Sequence, residues 1–131
     1  MKSETRNPQR VLIAEDEPSI VLSLEFLLQG AGYEVTTARD GTAALRMAES
    51  TRPDLIVLDI MLPLLDGFEV CRQIRANALL GHTRILMLTA RGHQRAVEKS
   101  LTLGADAYMT KPFSTRELVL IINELLSSPA A

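Results

Sequence analysis

The sequence predicts an α/β fold, one parallel sheet wound with helices on both faces, and three observations predict it. Five short apolar runs alternate with segments whose apolar residues recur at helical spacing. Leu55-Ile-Val-Leu58 and Ile85-Leu-Met-Leu88 are continuously apolar, as strands covered on both faces require. Chemically pointed residues also stand where four runs stop: Glu15 and Asp16, Asp59, Thr89, and Lys111 followed by Pro112. Parallel sheets place their sites at the carboxyl edge of the strands, so these residues are expected to converge on one pocket.

Each element has its own local reason. Arg10-Val-Leu-Ile-Ala14 is an apolar run that stops at Glu15-Asp-Glu17, and Pro18 suits the first turn of a helix. That helix carries Leu22, Leu24, Leu27 and Leu28, and Gly30-Ala-Gly32 ends it with residues that tolerate left-handed dihedrals. A second strand is expected over Tyr33 to Thr37. Asp40-Gly41 then opens a helix carrying Ala44, Leu45 and Ala48, and Pro53 closes it before the third strand, which ends at Asp59. Ile60 to Asp66 reads as an apolar loop with Pro63, and Gly67 precedes a helix bearing Phe68, Val70, Cys71 and Ile74. The fourth strand, Ile85 to Leu88, ends at Thr89. A helix from about His93 to Leu103 stops at Gly104, a short strand covers Ala107 to Met109, and Ser114-Thr-Arg-Glu117 is a capping box that starts the last helix.

This is a (βα)5 rhythm. Right-handed crossovers wind it into an open doubly wound sheet, and the strand order expected is 2-1-3-4-5, the flavodoxin-like arrangement. The 131 residues, 47% of them hydrophobic, suffice for one core and are too few for two ordinary domains. Residues 10–126 are taken as the domain, with 1–9 and 127–131 as flexible ends.

Composition excludes several classes of function. A net charge of −2 gives no electrostatic reason to expect nucleic acid or an anionic membrane as a direct partner. The longest apolar runs are broken by Asp, Arg or Asn and fall short of the roughly 20 residues that span a bilayer. The one cysteine, Cys71, cannot form an internal bridge and sits among apolar neighbours, so it reads as inert core, and no secretory signal opens the chain. A soluble cytoplasmic protein is the expectation. His82 and His93 lack ligand-like spacing and are expected in loops.

In the expected order the first and third strands are neighbours, which brings Glu15, Asp16 and Asp59 together. Unit charges about 4 Å apart repel by roughly 4 kcal/mol at an effective dielectric near 20, so the cluster must take up protons or a cation. Three carboxylates with the ammonium of Lys111 leave two negative charges for a divalent ion to cancel. Oxygen-only ligands argue for a hard ion, and Mg²⁺ is the one that keeps waters and a phosphoryl oxygen in its octahedron. A carboxylate beside Mg²⁺ and an ammonium group is also an oxygen nucleophile set for in-line attack on phosphorus. Asp59 is the candidate acceptor, with Thr89 and Lys111 holding phosphoryl oxygens. The Lys111–Pro112 peptide is a candidate for the cis form.

With these residues in place, the chain resembles the receiver domains of two-component response regulators over roughly residues 10 to 126. The motifs that carry the likeness are Leu12-Ile-Ala-Glu-Asp-Glu-Pro18, Leu58-Asp-Ile-Met-Leu-Pro63 with Asp66-Gly67, Leu88-Thr-Ala90, and Gly104-Ala-Asp-Ala-Tyr-Met-Thr-Lys-Pro-Phe113. The resemblance implies that Asp59 accepts a phosphoryl group from a histidine kinase or histidine phosphotransfer protein. It implies that Asp16, Asp59 and the backbone carbonyl of Met61 bind Mg²⁺, with Glu15 acting through metal-bound water. It implies that Thr89 and Tyr108 are the switch, remodelling the surface made by the fourth helix, fifth strand and fifth helix, and that the domain is a phosphoacceptor with slow self-dephosphorylation rather than an enzyme acting on outside substrates. Met61 and Arg91 are expected to govern water access to Asp59.

Two rival classes fit less well. A flavin- or nucleotide-binding protein of this fold would need a glycine- or hydroxyl-rich anion cradle where Glu15-Asp-Glu17 stands. An aspartyl-phosphate phosphatase would want a second acid two positions after Asp59, where this chain has Met61. For output, two readings stay open: a stand-alone receiver acting on a protein partner, or the amino-terminal piece of a longer DNA-binding regulator. Met61, Arg91 and Thr89-Ala-Arg-Gly92 resemble the winged-helix transcription-factor subgroup, whereas Ala107 and Ile121 replace the acid and arginine usual at its dimer face. The last helix has more apolar residues than one stripe buries, so Leu120 and Ile121 are expected to face outward and to offer a contact for a partner or a homodimer.

Overall fold

The computed structural model describes residues 8–90 and 94–127. Five strands, β1 (Arg10–Ala14), β2 (Glu34–Ala38), β3 (Leu55–Asp59), β4 (Arg84–Ala90) and β5 (Ala107–Lys111), alternate with helices α1 (Pro18–Gly30), α2 (Gly41–Thr51), α3 (Gly67–Ala76), α4 (Gln94–Thr102) and α5 (Thr115–Ser127). All pairings are parallel, and the order β2-β1-β3-β4-β5 is the one expected from the sequence.

The two-residue period of the strands sorts their side chains between two cores. Leu12, Ile56, Leu58, Ile85 and Met87 pack with Ala44 and Ala48 of α2 and Val70, Cys71 and Ile74 of α3. Val11, Ile13, Leu55, Val57, Leu86 and Leu88 pack with Leu24 and Leu28 of α1 and Leu118 and Ile122 of α5. Every residue of β3 is buried, as its unbroken apolar run implies.

Local chemistry sets the helix ends. Pro18 starts α1, Asp40 and Asp66 cap α2 and α3 by accepting from the backbone N–H groups of Ala43 and Glu69, and Ser114 Oγ accepts from the N–H of Glu117. A 3-10 turn at Ala78–Leu80, not foreseen from the sequence, seats Leu80 in the core.

The differences from the expected elements are small and physical. β2 begins at Glu34, one residue later than expected, and β4 and β5 run further, so Thr89 and Lys111 lie within strands rather than beyond them. In α1 only Leu24 and Leu28, four apart and so on one face, are buried, while Leu22 is exposed. Leu120 and Ile121 do not share an outward patch. Adjacent helical residues point about 100° apart. Leu120 accordingly stands out over a groove with Leu27 and Val119, whereas Ile121 is half-buried in a cleft with Tyr108 and Phe113.

Gly67 is what allows α3 to start directly against the end of β3. A Cβ there would lie 2.5 Å from the carbonyl oxygen of Asp59 and 2.7 Å from Cα of Ile60, backbone atoms that cannot move aside. Gly67→Ala is expected to lower stability by about 1–3 kcal/mol in urea denaturation, as overpacking does.

Candidate functional site

The site lies at the carboxyl edge of the sheet, where β1, β3 and β5 deliver their end residues. Glu15 and Asp16 directly follow β1, and Asp59 is the last residue of β3. The pairing of β1 with β3 brings them together, so that one carboxylate oxygen from each lies within 4.8 Å of the others. Lys111 ends β5, two strands from β3, and its long stem carries the ammonium across the end of β4. Its Nζ lies 3.2 Å from Oδ2 of Asp59 and 3.1 Å from Oε1 of Glu15.

Burial sharpens the electrostatics. Glu15 is 1% exposed and Asp59 3%, while Asp16 is open to solvent. The backbone holds the two buried acids in place: Glu17 N–H donates to Oε2 of Glu15, and Met61 N–H to Oδ1 of Asp59 at 3.2 Å. Burial first, and then the charge of Asp59, push the Glu15 carboxyl above the ordinary value, and the ammonium of Lys111 only partly offsets them. Burial works against the charge on Lys111 itself, but attraction to Asp59 and Glu15 prevails and its pKa lies above the ordinary value.

The cluster passes a test as a cation site. Oε1 of Glu15 is buried and, although at ion-pair distance from Lys111, accepts no hydrogen bond. A buried carboxylate oxygen with an open lone pair, two further carboxylates beside it and no nitrogen or sulfur donor is a set suited to a hard divalent ion.

The other expected site residues are placed less directly. Thr89 is buried on β4, with its hydroxyl donating at 3.4 Å to the carbonyl of Ala90 in its own strand. Tyr108 on β5 is 41% exposed and lines a cleft with Phe113, Glu117 and Ile121. Met61 contributes its backbone N–H to Asp59 while its side chain stands 68% exposed. Arg91 lies outside the described residues. The Lys111–Pro112 peptide is cis. Cys71 is buried with its thiol directed at the carbonyl of Leu103, and burial raises its pKa, so it stands apart from the chemistry.

A cavity of about 480 Å³ opens beside the cluster, between α1 and the turn after β5. Glu17, Ile20, Leu24 and Phe113 line it, and it shares Lys111 with the acids but not Asp59. Two contributions to the site escape sequence reading: the Met61 N–H on Asp59 and the close approach at Gly67. Asp66-Gly67 marked a turn, and only the fold shows that it turns onto the Asp59 peptide.

The family model for the response regulator receiver domain matches residues 11–123. The chain belongs to that family. This receiver domain is 50% identical over 118 residues to the alkaline phosphatase synthesis transcriptional regulatory protein PhoP of Bacillus subtilis, covering 90% of this chain and 48% of that protein. It is 43% identical over 116 residues to the sensory transduction protein RegX3 of Mycobacterium tuberculosis, covering 88% and 50%. The chain thus spans about half the length of the curated relatives it matches. Among solved structures, the receiver domain of sensor histidine kinase PA1611 from Pseudomonas aeruginosa, with a magnesium ion coordinated in its active site cleft, superposes with a TM-score of 0.84 at 38% identity, covering 92% of this chain and 99% of that one. The chemotaxis response regulator CheY4 of Vibrio cholerae gives 0.85 at 34% identity, covering 91% and 99%. The chain is therefore a receiver domain of two-component response regulators, with an acidic pocket compatible with magnesium and aspartyl phosphorylation. Among the described residues no helix is long and apolar enough to cross a membrane.

The raised pKa of Glu15 has a definite consequence for the metal-free domain. A carboxyl titrating higher in the folded than in the unfolded chain adds stability that is fully present below the ordinary value of 4.5 and is lost as pH rises through the folded value. Glu15→Gln is therefore expected to match the wild type in acid and to exceed it at neutral pH, measured by urea denaturation in the presence of a chelator.

Proposed function

We propose that Asp59 accepts a phosphoryl group from a histidine kinase or histidine phosphotransfer protein in a Mg²⁺-dependent reaction, and that the phosphorylated domain controls a partner through the surface of α4, β5 and α5. One observation carries this reading: a nearly buried Asp59 carboxylate held 3.2 Å from the Lys111 ammonium, with the oxygens of Glu15 and Asp16 within 4.8 Å. Asp16, Asp59 and the backbone carbonyl of Met61 would hold Mg²⁺, with Glu15 behind them. When bound, the ion supplies positive charge against the phosphoryl oxygens.

The residues of the chain do the remaining work. An Asp59 carboxylate oxygen attacks phosphorus in line with the donor's phosphorus–nitrogen bond. The new oxygen–phosphorus bond forms as the old bond breaks, and the departing imidazole nitrogen keeps the electron pair and takes a proton. Lys111, already charged and in place, balances charge spread over the equatorial oxygens without reorganising. The Thr89 hydroxyl, whose bond to the carbonyl of Ala90 is long, can turn toward a phosphoryl oxygen. Movement of Thr89 leaves room behind it for Tyr108, half-exposed before the reaction, to swing inward and reshape its cleft with Ile121. Self-dephosphorylation is slow because Asp59 is nearly sealed from water, with the Met61 N–H on its carboxylate; no outside substrate is turned over. The likeness to the transcriptional regulatory protein PhoP favours a DNA-binding output fused to the receiver, in the cytoplasm, over a stand-alone protein partner.

Incubation with phosphoramidate and Mg²⁺ should add one phosphoryl group to the wild type and none to Asp59→Asn in intact-mass spectrometry; equal adducts would assign a different acceptor. Mg²⁺ should raise the melting temperature of the wild type and raise that of Asp16→Asn markedly less. Saturation with beryllofluoride and Mg²⁺ should shift the Tyr108 ring resonances in the wild type, and this shift should be lost in Thr89→Ala.

A further inference from the structure

A methionine stands in water next to the acceptor. Met61 is 68% exposed, although its neighbours Ile60 and Leu62 are each only 6% exposed and turn inward. The other methionines among the described residues are shielded: Met87 is 0% exposed, Met109 7%, and Met47 packs partly buried against the core beneath α2 and α3. Oxidation of a thioether follows its exposure, so among the described residues the sulfur open to a peroxide is that of Met61.

Met61 is also the residue tied to Asp59. Its N–H donates to Oδ1 of that carboxylate at 3.2 Å, so the thioether, whatever its rotamer, stays within one side chain's length of the acceptor. The loop keeps it there. Gly67 N–H donates to the carbonyl of Ile60 at 2.8 Å, Leu62 is buried and Leu65 packs against the core. The carbonyl of Pro63 accepts from the N–H of Gly41 at 3.0 Å and from that of Leu65 at 2.8 Å, across a turn in which Leu64 has φ +71°. With these neighbours fixed inward, the Met61 side chain is left to solvent.

We propose that Met61 is an oxidation site whose sulfoxide shortens the life of the phosphoryl group on Asp59. This rests on Asp59 being the acceptor. In the step, a lone pair of the sulfur attacks one oxygen of hydrogen peroxide, and the sulfur–oxygen bond forms as the oxygen–oxygen bond breaks. The departing hydroxide takes the proton from the transferred oxygen and leaves as water; sulfur is oxidised by two electrons and the peroxide is reduced by two. A flexible apolar tip becomes a polar one. Asp59 is 3% exposed, so hydrolysis of its phosphoryl group depends on water drawn to that place. A sulfoxide oxygen accepts hydrogen bonds from water and holds it beside the acceptor, and a methionine sulfoxide reductase restores the thioether.

The test treats the domain with hydrogen peroxide and reads peptide masses. Met61 should convert at least about tenfold faster than Met47, Met87 or Met109. Untreated and oxidised wild type are then loaded with phosphoramidate and Mg²⁺, freed of donor, and followed by intact-mass spectrometry. Oxidation should shorten the phosphoryl half-life by at least about twofold, and methionine sulfoxide reductase should bring it back. Met61→Leu is compared with its own untreated sample, so that any effect of the leucine itself cancels, and there the same oxidation should not alter the half-life. Oxidation of Met47, Met87 or Met109 ahead of Met61, an oxidised wild type with an unaltered or longer half-life, or an equal shortening in Met61→Leu would overturn the proposal. Failure of the Asp59 reading would show separately, in untreated protein, as a phosphoramidate adduct that is absent from the wild type or persists in Asp59→Asn.

Discussion

The rest of the structure is arranged around a repulsion. Glu15, Asp16 and Asp59 place three carboxylates at one end of a sheet, two of them nearly out of water, with a single ammonium among them. At the separations involved, like charges cost on the order of several kcal/mol, and burial makes each charge harder to sustain. Hydrophobic cores on both faces of the sheet supply the stability that lets this arrangement persist. The cluster is a place where the fold holds back favourable energy that a cation and a phosphoryl group can release.

Rigidity serves that purpose. Asp59 has both oxygens engaged, one by the Met61 N–H and one by Lys111, so its direction is fixed before any donor arrives. Gly67 lets α3 press on the peptide that carries Asp59, and Gly41 lets α2 press on the loop beyond it. By contrast, the side chains of Thr89 and Tyr108 have fewer fixed partners, although Thr89 is itself buried within β4. The hydroxyl of Thr89 has a long bond to its own strand, and Tyr108 is partly in water.

Helix α4 is attached to the rest by polar contacts as well as by packing. Lys99 lies over the ring of Phe68, 4.4 Å from its centre, and at the turn after α4 Arg75 bonds the carbonyl of Gly104 and the carboxylate of Asp106, which also accepts from the N–H of Ile85. These bonds give the region a defined position without the depth of burial that holds β3. The departures at Ala107 and Ile121 lie on the other face of the sheet, where both pack partly buried against the core shared by α1 and α5 and Ile121 also lines a cleft with Tyr108, Phe113 and Glu117.

The sequence alone determined the strand order, the two faces of the sheet and the gathering of Glu15, Asp16, Asp59 and Lys111 at one edge. Period-two and period-3.6 patterns are local, and right-handed crossovers leave few ways to join them. It could not determine which of two adjacent apolar residues on α5 meets the core, because Leu120 and Ile121 differ only in angle about the helix axis. Nor could it reveal that Leu64 sits at positive φ, since no local rule puts a leucine there. The loop reaches that shape because Leu62, Leu65 and Gly41 fix its ends from outside the turn, and contacts between segments distant in sequence exist only once the chain has folded.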